Sequence, residues 1–366
     1  MVATAETPIS TDPRYRARPT LRINGQNVPQ VSDRINSFRI TERVGGLSAL
    51  ELRLTNEIGT ENTGTDDEFP FESEQYIALG TPLTIYSGEE SHPREIFRGM
   101  ITGIEADFPE GTSSELLVLA EDTLQAGRLA RRSKVHDDLK LKDLTTDVAQ
   151  QLSLTPKVTG FDTSIGTQVQ LNESDLAFLR RMLARYDGDL QVVGSELQVT
   201  PRKDVDRGVV TLARNSKLRR VRFLADLAHQ VTEVTAAGYD LVQGQAVTKT
   251  STGANPGPGT GRTGSQILKD KLGDRSEHIG YPPMNNQDMA NAVADAAFDL
   301  RARRFVTAFG VTEGDPTVRL GTQVAITGTS KRFDNTYYVT HVCHRFDLDH
   351  GYETEFEAEC AFLGNP

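Results

Sequence analysis

The chain of 366 residues has no tryptophan, only two cysteines, and no apolar run of the roughly 20 residues that a membrane-spanning helix needs. Cys343 and Cys360 stand seventeen positions apart, outside any CxxC pair, which excludes a zinc ribbon and a disulfide framework and fits folding in the cytosol. The segment Met1 to Pro8 lacks a basic stretch followed by an apolar one, so no secretion signal is read there. An excess of positive charge is also missing. With 51 acidic against 40 basic residues the net charge is −11, which repels polyphosphate unless the basic groups are segregated, so nucleic acid is disfavoured as the main ligand. Apolar residues make up 37% and charged residues 25%, the balance of an ordinary globular protein whose length suggests two or three domains.

What the chain does contain is an internal repeat. Leu79-Gly80-Thr81, with Leu83, Ile85 and later Asp107, Phe108 and Gly111, recurs as Leu320-Gly321-Thr322, with Val324, Ile326 and later Asp347, Leu348 and Gly351. The offset is 321 − 80 = 241 at one glycine and 351 − 111 = 240 at the other, too long a period for a solenoid and right for two related domains.

Periodicity divides the chain. Residues 1–18 are rich in Thr, Pro and Ala and read as a flexible arm. From Pro19 the text alternates as strands do, through Leu21 and Ile23, Phe38 and Ile40, and Leu50, Leu52 and Leu54, with turns at Asn24-Gly25 and Gly45-Gly46. An acidic insert, 56–75, holds Asp66-Asp67-Glu68 and Phe69-Pro70-Phe71. The period then changes to that of helices. Asp143 is read as the cap of a helix bearing Leu144, Val148 and Leu152, which stops before Pro156; Asn172 with Asp175 is read as the cap of a second bearing Leu176, Leu179, Leu183 and Tyr186, which ends at Gly188. Leu190 to Thr200 returns to strand, and alternation resumes from Gln230. Residues 251–264 read as a flexible loop, and Asn286 caps a helix with Met289, Val293, Ala297, Leu300 and Arg304 on its stripe.

Several motifs suggest chemistry and lose to plainer readings. Gly259-Thr260-Gly261-Arg262-Thr263-Gly264 matches the dinucleotide fingerprint, but Thr248 to Pro258 before it is polar and broken by proline, and no parallel βαβ unit surrounds it. A Walker loop fails because Arg262 stands where lysine is required. His341, Cys343, His344, His350 and Cys360 are metal-binding types, yet on one strand His341 and Cys343 point away from His344, so no metal site is assigned. No Gly-x-Ser-x-Gly is present, and no catalytic or cofactor-binding residue is assigned. Glu353, Glu355, Glu357 and Glu359 alternate along one strand whose other face, Tyr352, Thr354, Phe356, Ala358 and Cys360, is apolar enough for a core; four like charges on one side suggest a hydrated wall. Basic residues cluster at Arg128, Arg131, Arg132 and Lys134 and again at Arg214, Lys217, Arg219, Arg220 and Arg222, consistent with contacts to an acidic neighbouring subunit or with solvated loops.

The stretches Gly314-Asp315-Pro316, Leu320-Gly321, Phe333 to Thr340, His344-Arg345-Phe346 and Gly351 to Phe356, in that order, resemble the late control D family of contractile phage tails, whose relatives include the hub part of VgrG proteins. The run Glu173 to Tyr186 is similar to the same family's helix. The resemblance implies an α+β, mainly β fold in which two related tube-like β-barrel domains flank a smaller α/β domain, with a loop-helix insertion in the second barrel. Its expected division is 1–18 arm, 19–125 first barrel, 126–228 α/β domain and 229–366 second barrel with the insertion at 251–304. It further implies a homotrimeric baseplate hub that adapts a sixfold inner tube protein to a threefold, separate spike protein, beside baseplate wedge components and a cargo effector where one is loaded. Such a hub has no catalytic site, cofactor or metal, requires no nucleic acid contact, and is assembled in the bacterial cytoplasm into a phage-tail-like particle or virion baseplate. In it, Glu353, Glu355, Glu357 and Glu359 are candidates for a lumen wall or subunit interface. The competing readings are a glycan or peptidoglycan hydrolase using acidic residues near 66–72, and a sugar-binding adhesin, which the lack of tryptophan disfavours.

Overall fold

The structure, a computed structural model, describes residues 19–57, 69–72, 74–87 and 93–364. The expected arm at 1–18, and the acidic triplet Asp66-Asp67-Glu68 of the insert, lie outside the described residues. The protein is mainly β, as expected. Among the described residues no helix is long and apolar enough to cross a membrane.

The chain forms two compact units. The first takes the residues up to Ala126 together with Thr312–Arg319 and His341–Glu355; the second takes Gly127–Val311, Leu320–Thr340 and the residues from Phe356 on. In the first unit the strands lie in the order Ile35–Arg43, Ala49–Thr55, Glu115–Glu121, Arg94–Asp107, Pro82–Ser87 and Thr20–Ile23, every pair antiparallel. His341–Asp347 runs antiparallel along the outer side of Ile35–Arg43. The alternating residues read from the sequence, among them Leu21, Ile40, Leu50, Leu52, Leu54 and Ile85, form its buried core together with Val118. Each such side chain is worth roughly 1.5–3 kcal/mol when fully buried.

The second unit repeats that order. Leu218–Ala225, Val306–Glu313, Gly351–Cys360, Asn335–Asp347 and Gln323–Thr327 follow one another as their counterparts do in the first, and three of them contribute residues to both units. The sixth strand differs, because Val209–Ala213 pairs in parallel with Gln323–Thr327 where Thr20–Ile23 pairs antiparallel with Pro82–Ser87. Neither run closes on itself among the described residues, so the expected barrels are open sheets within one chain.

The repeat extends to single hydrogen bonds. Gly80 N–H donates to Ile101 O at 2.8 Å and Ile101 N–H donates back to Thr81 O at 3.0 Å; Gly321 N–H donates to Val339 O at 3.0 Å and Val339 N–H donates back to Thr322 O at 2.9 Å. Both glycines are left-handed, with φ of 83° and 79°. The corners differ in cover, since Leu79 is 67% exposed and Leu320 only 3%. Over the second corner lies Arg207, whose Nη1 donates to Leu320 O at 3.2 Å.

Elsewhere in the second unit the helices Leu141–Gln151 and Asp175–Arg185 pack beside the sheet of Gly188–Val193, Glu196–Pro201 and Thr155–Val158. Their stripes Leu144 and Val148, and Leu176, Leu179 and Leu183, are buried as the 3.6-residue period requires. The caps differ from expectation. Lys140 precedes the first helix without a side-chain cap, and Asp143 sits inside its first turn, where a carboxylate favours the helix dipole. Ser174 caps the second, accepting from Ala177 N–H at 3.2 Å, while Asn172 is a left-handed residue in the irregular strand Gln168–Ser174. Gly188 opens a strand, the left-handed position after the helix being Asp187.

Between Leu218–Ala225 and Val306–Glu313 comes a sheet of Gln245–Ser251, Glu233–Asp240 and Ser276–Met284, covered by Gln287–Arg303. Asn286 caps that helix as expected, accepting from Met289 N–H at 2.8 Å. Its buried stripe runs through Met289, Val293, Phe298 and Ala302, while Leu300 is exposed. The stretch expected as a flexible loop is tied down, because Asp299 accepts from Ala254 and Asn255 N–H at 3.0 and 2.8 Å and Asn335 exchanges two hydrogen bonds with the Thr260 backbone.

A left-handed alanine costs about 1–2 kcal/mol, so Gly80→Ala, whose new Cβ meets nothing within 4 Å, should cost about that much. Gly321→Ala should cost distinctly more, roughly 3 kcal/mol, because its Cβ would stand 2.1 Å from Arg207 Nη1. Urea denaturation of the two variants checks this, and equal losses would contradict the Arg207 cover.

Candidate functional site

The strand Gly351–Cys360 carries the four glutamates singled out in the sequence. Thr354, Phe356, Ala358 and Cys360 are buried on its apolar face as the alternation predicts, but the glutamates do not form one hydrated row. Glu353 and Glu359 are buried, Glu355 is half-buried, and Glu357 is exposed. Four carboxylates on alternate positions repel, and arginines from elsewhere in the chain relieve that repulsion.

In the first unit Arg345 pairs with both Glu353 and Glu355, the latter at 3.2 Å. Close by in the sequence, His344 is fully buried, with Nδ1 2.8 Å from Tyr352 Oη and 3.2 Å from Thr354 Oγ1. Arg319 Nε donates to Glu42 at 2.8 Å in the same unit. Burial first, then the Arg319 charge, push the His344 imidazole down to about 4, so it is neutral at physiological pH. Asp122, buried and accepting from Ser48 and Leu124 N–H at 2.7 and 2.9 Å, is pushed up to about 6 by that burial.

In the second unit Glu359 belongs to a buried ion network that no local pattern announces. Arg202 donates to Glu359 at 2.7 Å and lies over the Tyr338 ring, 3.4 Å from its centroid. Arg303 Nε stands 3.6 Å from the same carboxylate, and its two terminal nitrogens grip Asp187 at 2.9 and 2.5 Å. Tyr338 donates to Asp189 at 3.2 Å, and Asp189 is held on its other side by Arg207 at 2.5 Å. Burial works against the Arg202 charge, yet Tyr338, Glu359 and Asp189 together hold its pKa above the ordinary value; burial and Asp189 raise that of Tyr338, which stays a donor. The network joins the Asp187–Arg207 stretch, the helix Gln287–Arg303 and two strands of the repeat.

The remaining candidate motifs are taken up by packing. At the fingerprint, an alanine Cβ on Gly259 would stand 2.6 Å from Cys360 Sγ and one on Gly261 2.2 Å from Leu363 O, so the chain itself fills the space that a pyrophosphate would need. Thr263 and Gln266 form a capping box on the helix Gly264–Leu272. A cleft of about 410 Å³ runs beside it, lined by Thr232, Glu233, Gln266 and Lys269 among others. Cys343 and Cys360 are buried, with the Cys360 thiol pushed up to about 12 by burial. Among the described residues no group of three or more His, Cys, Asp and Glu is placed to hold a metal ion.

A family model described as the Alg8 N-terminal domain matches residues 16–347. The chain belongs to that family. No curated protein matches it in sequence. Among solved structures, this Alg8 N-terminal domain chain is similar to the 43 kDa tail protein of prophage MuSo2 from Shewanella oneidensis, at 13% identity and a TM-score of 0.68 over 93% of this chain and 97% of that one. It is similar to a tail protein from Neisseria meningitidis, at 10% identity and a TM-score of 0.66 over 93% and 96%. A third, an Escherichia coli component of the type VI secretion system, is 12% identical with a TM-score of 0.57 over 94% and 79%. The fold is therefore one that phage tail and type VI secretion proteins share.

Removing one partner from a buried ion network leaves the other charge stranded, so Arg303→Met should cost about 3–5 kcal/mol, while Glu357→Gln on the exposed position should cost under about 0.5 kcal/mol. Chemical denaturation distinguishes the two. The His344 pKa is depressed on folding, so the stability it contributes is present above about 6.5 and lost as pH falls through about 4. Relative to the parent protein, His344→Leu should therefore gain roughly 3 kcal/mol between pH 7 and pH 4. Asp122 has the opposite sign, its contribution being present below 3.8 and lost as pH rises through about 6. Urea midpoints across that range should show the tilt in the His344 variant.

Proposed function

We propose that the chain is the structural hub of a phage tail baseplate or contractile injection system, a homotrimer that adapts a sixfold inner tube to a threefold spike. One observation carries this reading: the same five-strand order occurs twice in one polypeptide. Three such chains present six similar sheets, which is what a sixfold ring needs from a threefold particle. In this reading the two sheets close as tube-like barrels only in the assembled ring, around a first domain near 19–125 and a second that takes in Leu218–Ala225 and Val306 onward. The smaller α/β domain, expected at 126–228, lies between them in sequence and in this reading ends before Leu218. The particle is assembled in the bacterial cytoplasm, and tube, spike, wedge and cargo are its partners.

The hub's work in this reading is mechanical. It transmits the push of contraction and catalyses nothing. The polar residues most deeply buried around Glu359 are tied in ion pairs, the arrangement of a joint that must hold shape under load. The hydrolase alternative rests on acidic residues near 66–72, of which Asp66, Asp67 and Glu68 lie outside the described residues and Glu72 is exposed, and no observation favours it.

Native mass spectrometry or light scattering of the full chain should give three times the 40.2 kDa chain mass. A strictly monomeric protein at high concentration would count against the hub.

A further inference from the structure

The two repeats differ in what lies along one edge. In the second, the strand Asn335–Asp347 is longer than its partner Gln323–Thr327 can cover. Its Asn335 to Tyr338 pair with that partner, and its His341 to Asp347, in the first unit, pair with Ile35–Arg43. In the first repeat, Arg94–Asp107 has the same overhang. Its Arg94 to Met100 pair with Pro82–Ser87, and among the described residues no strand pairs on that side with 103–107, where Ile104, Glu105, Ala106 and Asp107 are all exposed. The strand corresponding to Ile35–Arg43 in the second repeat is Leu218–Ala225, and among the described residues it ends its sheet, with Arg220, Arg222 and Leu224 exposed. One chain thus holds one satisfied junction and the two halves of an unsatisfied one. Edge strands expose rows of unpaired backbone N–H and C=O groups that bind another strand readily.

Both correspondences are fixed residue by residue. Ile35-Asn36-Ser37-Phe38-Arg39-Ile40 matches Leu218-Arg219-Arg220-Val221-Arg222-Phe223 at an offset of 218 − 35 = 183, with the apolar positions and one arginine in common. Thr102 donates to Leu119 O at 3.4 Å and Thr340 to Glu357 O at 3.2 Å, which sets the other offset at 340 − 102 = 357 − 119 = 238, as Ile101 and Val339 do at the corners, and corrects the offset of 240 read from the sequence at Asp107 and Gly111. In the junction within the chain Arg345 faces Arg39 and Cys343 faces Thr41. Transferring that register puts Asp107 (345 − 238) opposite Arg222 (39 + 183), and Glu105 opposite Leu224 on the same face. The like-charged pair within the chain, which needs Glu353 and Glu355 beside it, becomes an opposite-charged pair in the transferred junction. A basic edge meets an acidic one.

We propose that the Leu218–Ala225 edge of one chain pairs antiparallel with the 103–107 edge of a second copy of this chain, reproducing between chains the junction that His341–Asp347 and Ile35–Arg43 make within one. The contact is head to tail, so it propagates until it closes. The closure at three rests on the hub reading above; the strand pair and its register do not.

The full chain carrying Asp107→Cys and Arg222→Cys tests this. Directly opposed strand residues are close enough for a disulfide, and the native Cys343 and Cys360 are buried. Mild oxidation should give a non-reducing denaturing gel ladder of two and three chains, absent from either single-cysteine variant. Separately, Arg222→Glu should weaken association about tenfold or more in low salt, and adding Asp107→Arg should restore it. A trimer by light scattering that neither cross-links nor responds to Arg222→Glu overturns the strand pair and leaves the trimeric hub standing. A chain that stays monomeric and uncross-linked at high concentration overturns both.

Discussion

The buried ion network around Glu359 is the constraint on which the second unit depends. Arg202 reaches Glu359, Arg303 reaches Asp187 and Tyr338 reaches Asp189 across more than a hundred residues of sequence, and Arg207 holds Asp189 from within the same stretch. Charges taken out of water cost several kcal/mol each, and their attraction offsets that cost only when every partner is in place. Such a network adds little net stability over an apolar core of the same shape. What it adds is an all-or-none geometry, since any slip of one segment strands a charge. A protein whose proposed task is to hold shape while force passes through it gains from that cooperativity.

The same logic explains why the two copies have diverged. Their corners keep identical hydrogen bonds and left-handed glycines, because strand pairing dictates the backbone there. Their surroundings differ: Arg207, already tied to Asp189, lies over the second corner, whereas Leu79 at the first is exposed. The two copies differ on their surfaces and share the hydrogen bonds that set register. Function then resides in the differences. In the proposed assembly the edges left open in each copy take a further chain, and the edge closed within the chain is the template for how.

Much of the fold is legible in the sequence. The alternation of Leu50, Leu52 and Leu54, the stripe of Leu176, Leu179 and Leu183, the cap at Asn286 and the repeat of Leu-Gly-Thr all depend on neighbours within a few residues, or on text that can be compared with itself. The misreadings are of another kind. On paper Asn172 and Ser174 are equally good capping types, and the strand running into the helix decides which residue is extended at the boundary. Residues 251–264 have the composition of a loose loop, and only the folded chain brings Asp299 and Asn335 to its backbone.

The glutamate strand marks the division most sharply. Sequence alone determined that Thr354, Phe356, Ala358 and Cys360 share a buried face, because a strand has a period of two and apolar groups leave water. It also determined that the glutamates lie opposite. Only the tertiary structure decided that Glu353 and Glu359 are buried against arginines while Glu357 meets solvent. Hydrophobic burial follows from the residue and its spacing, whereas the state of a charge is set by whichever opposite charge the fold brings within a few ångströms, and that partner can come from anywhere in the chain.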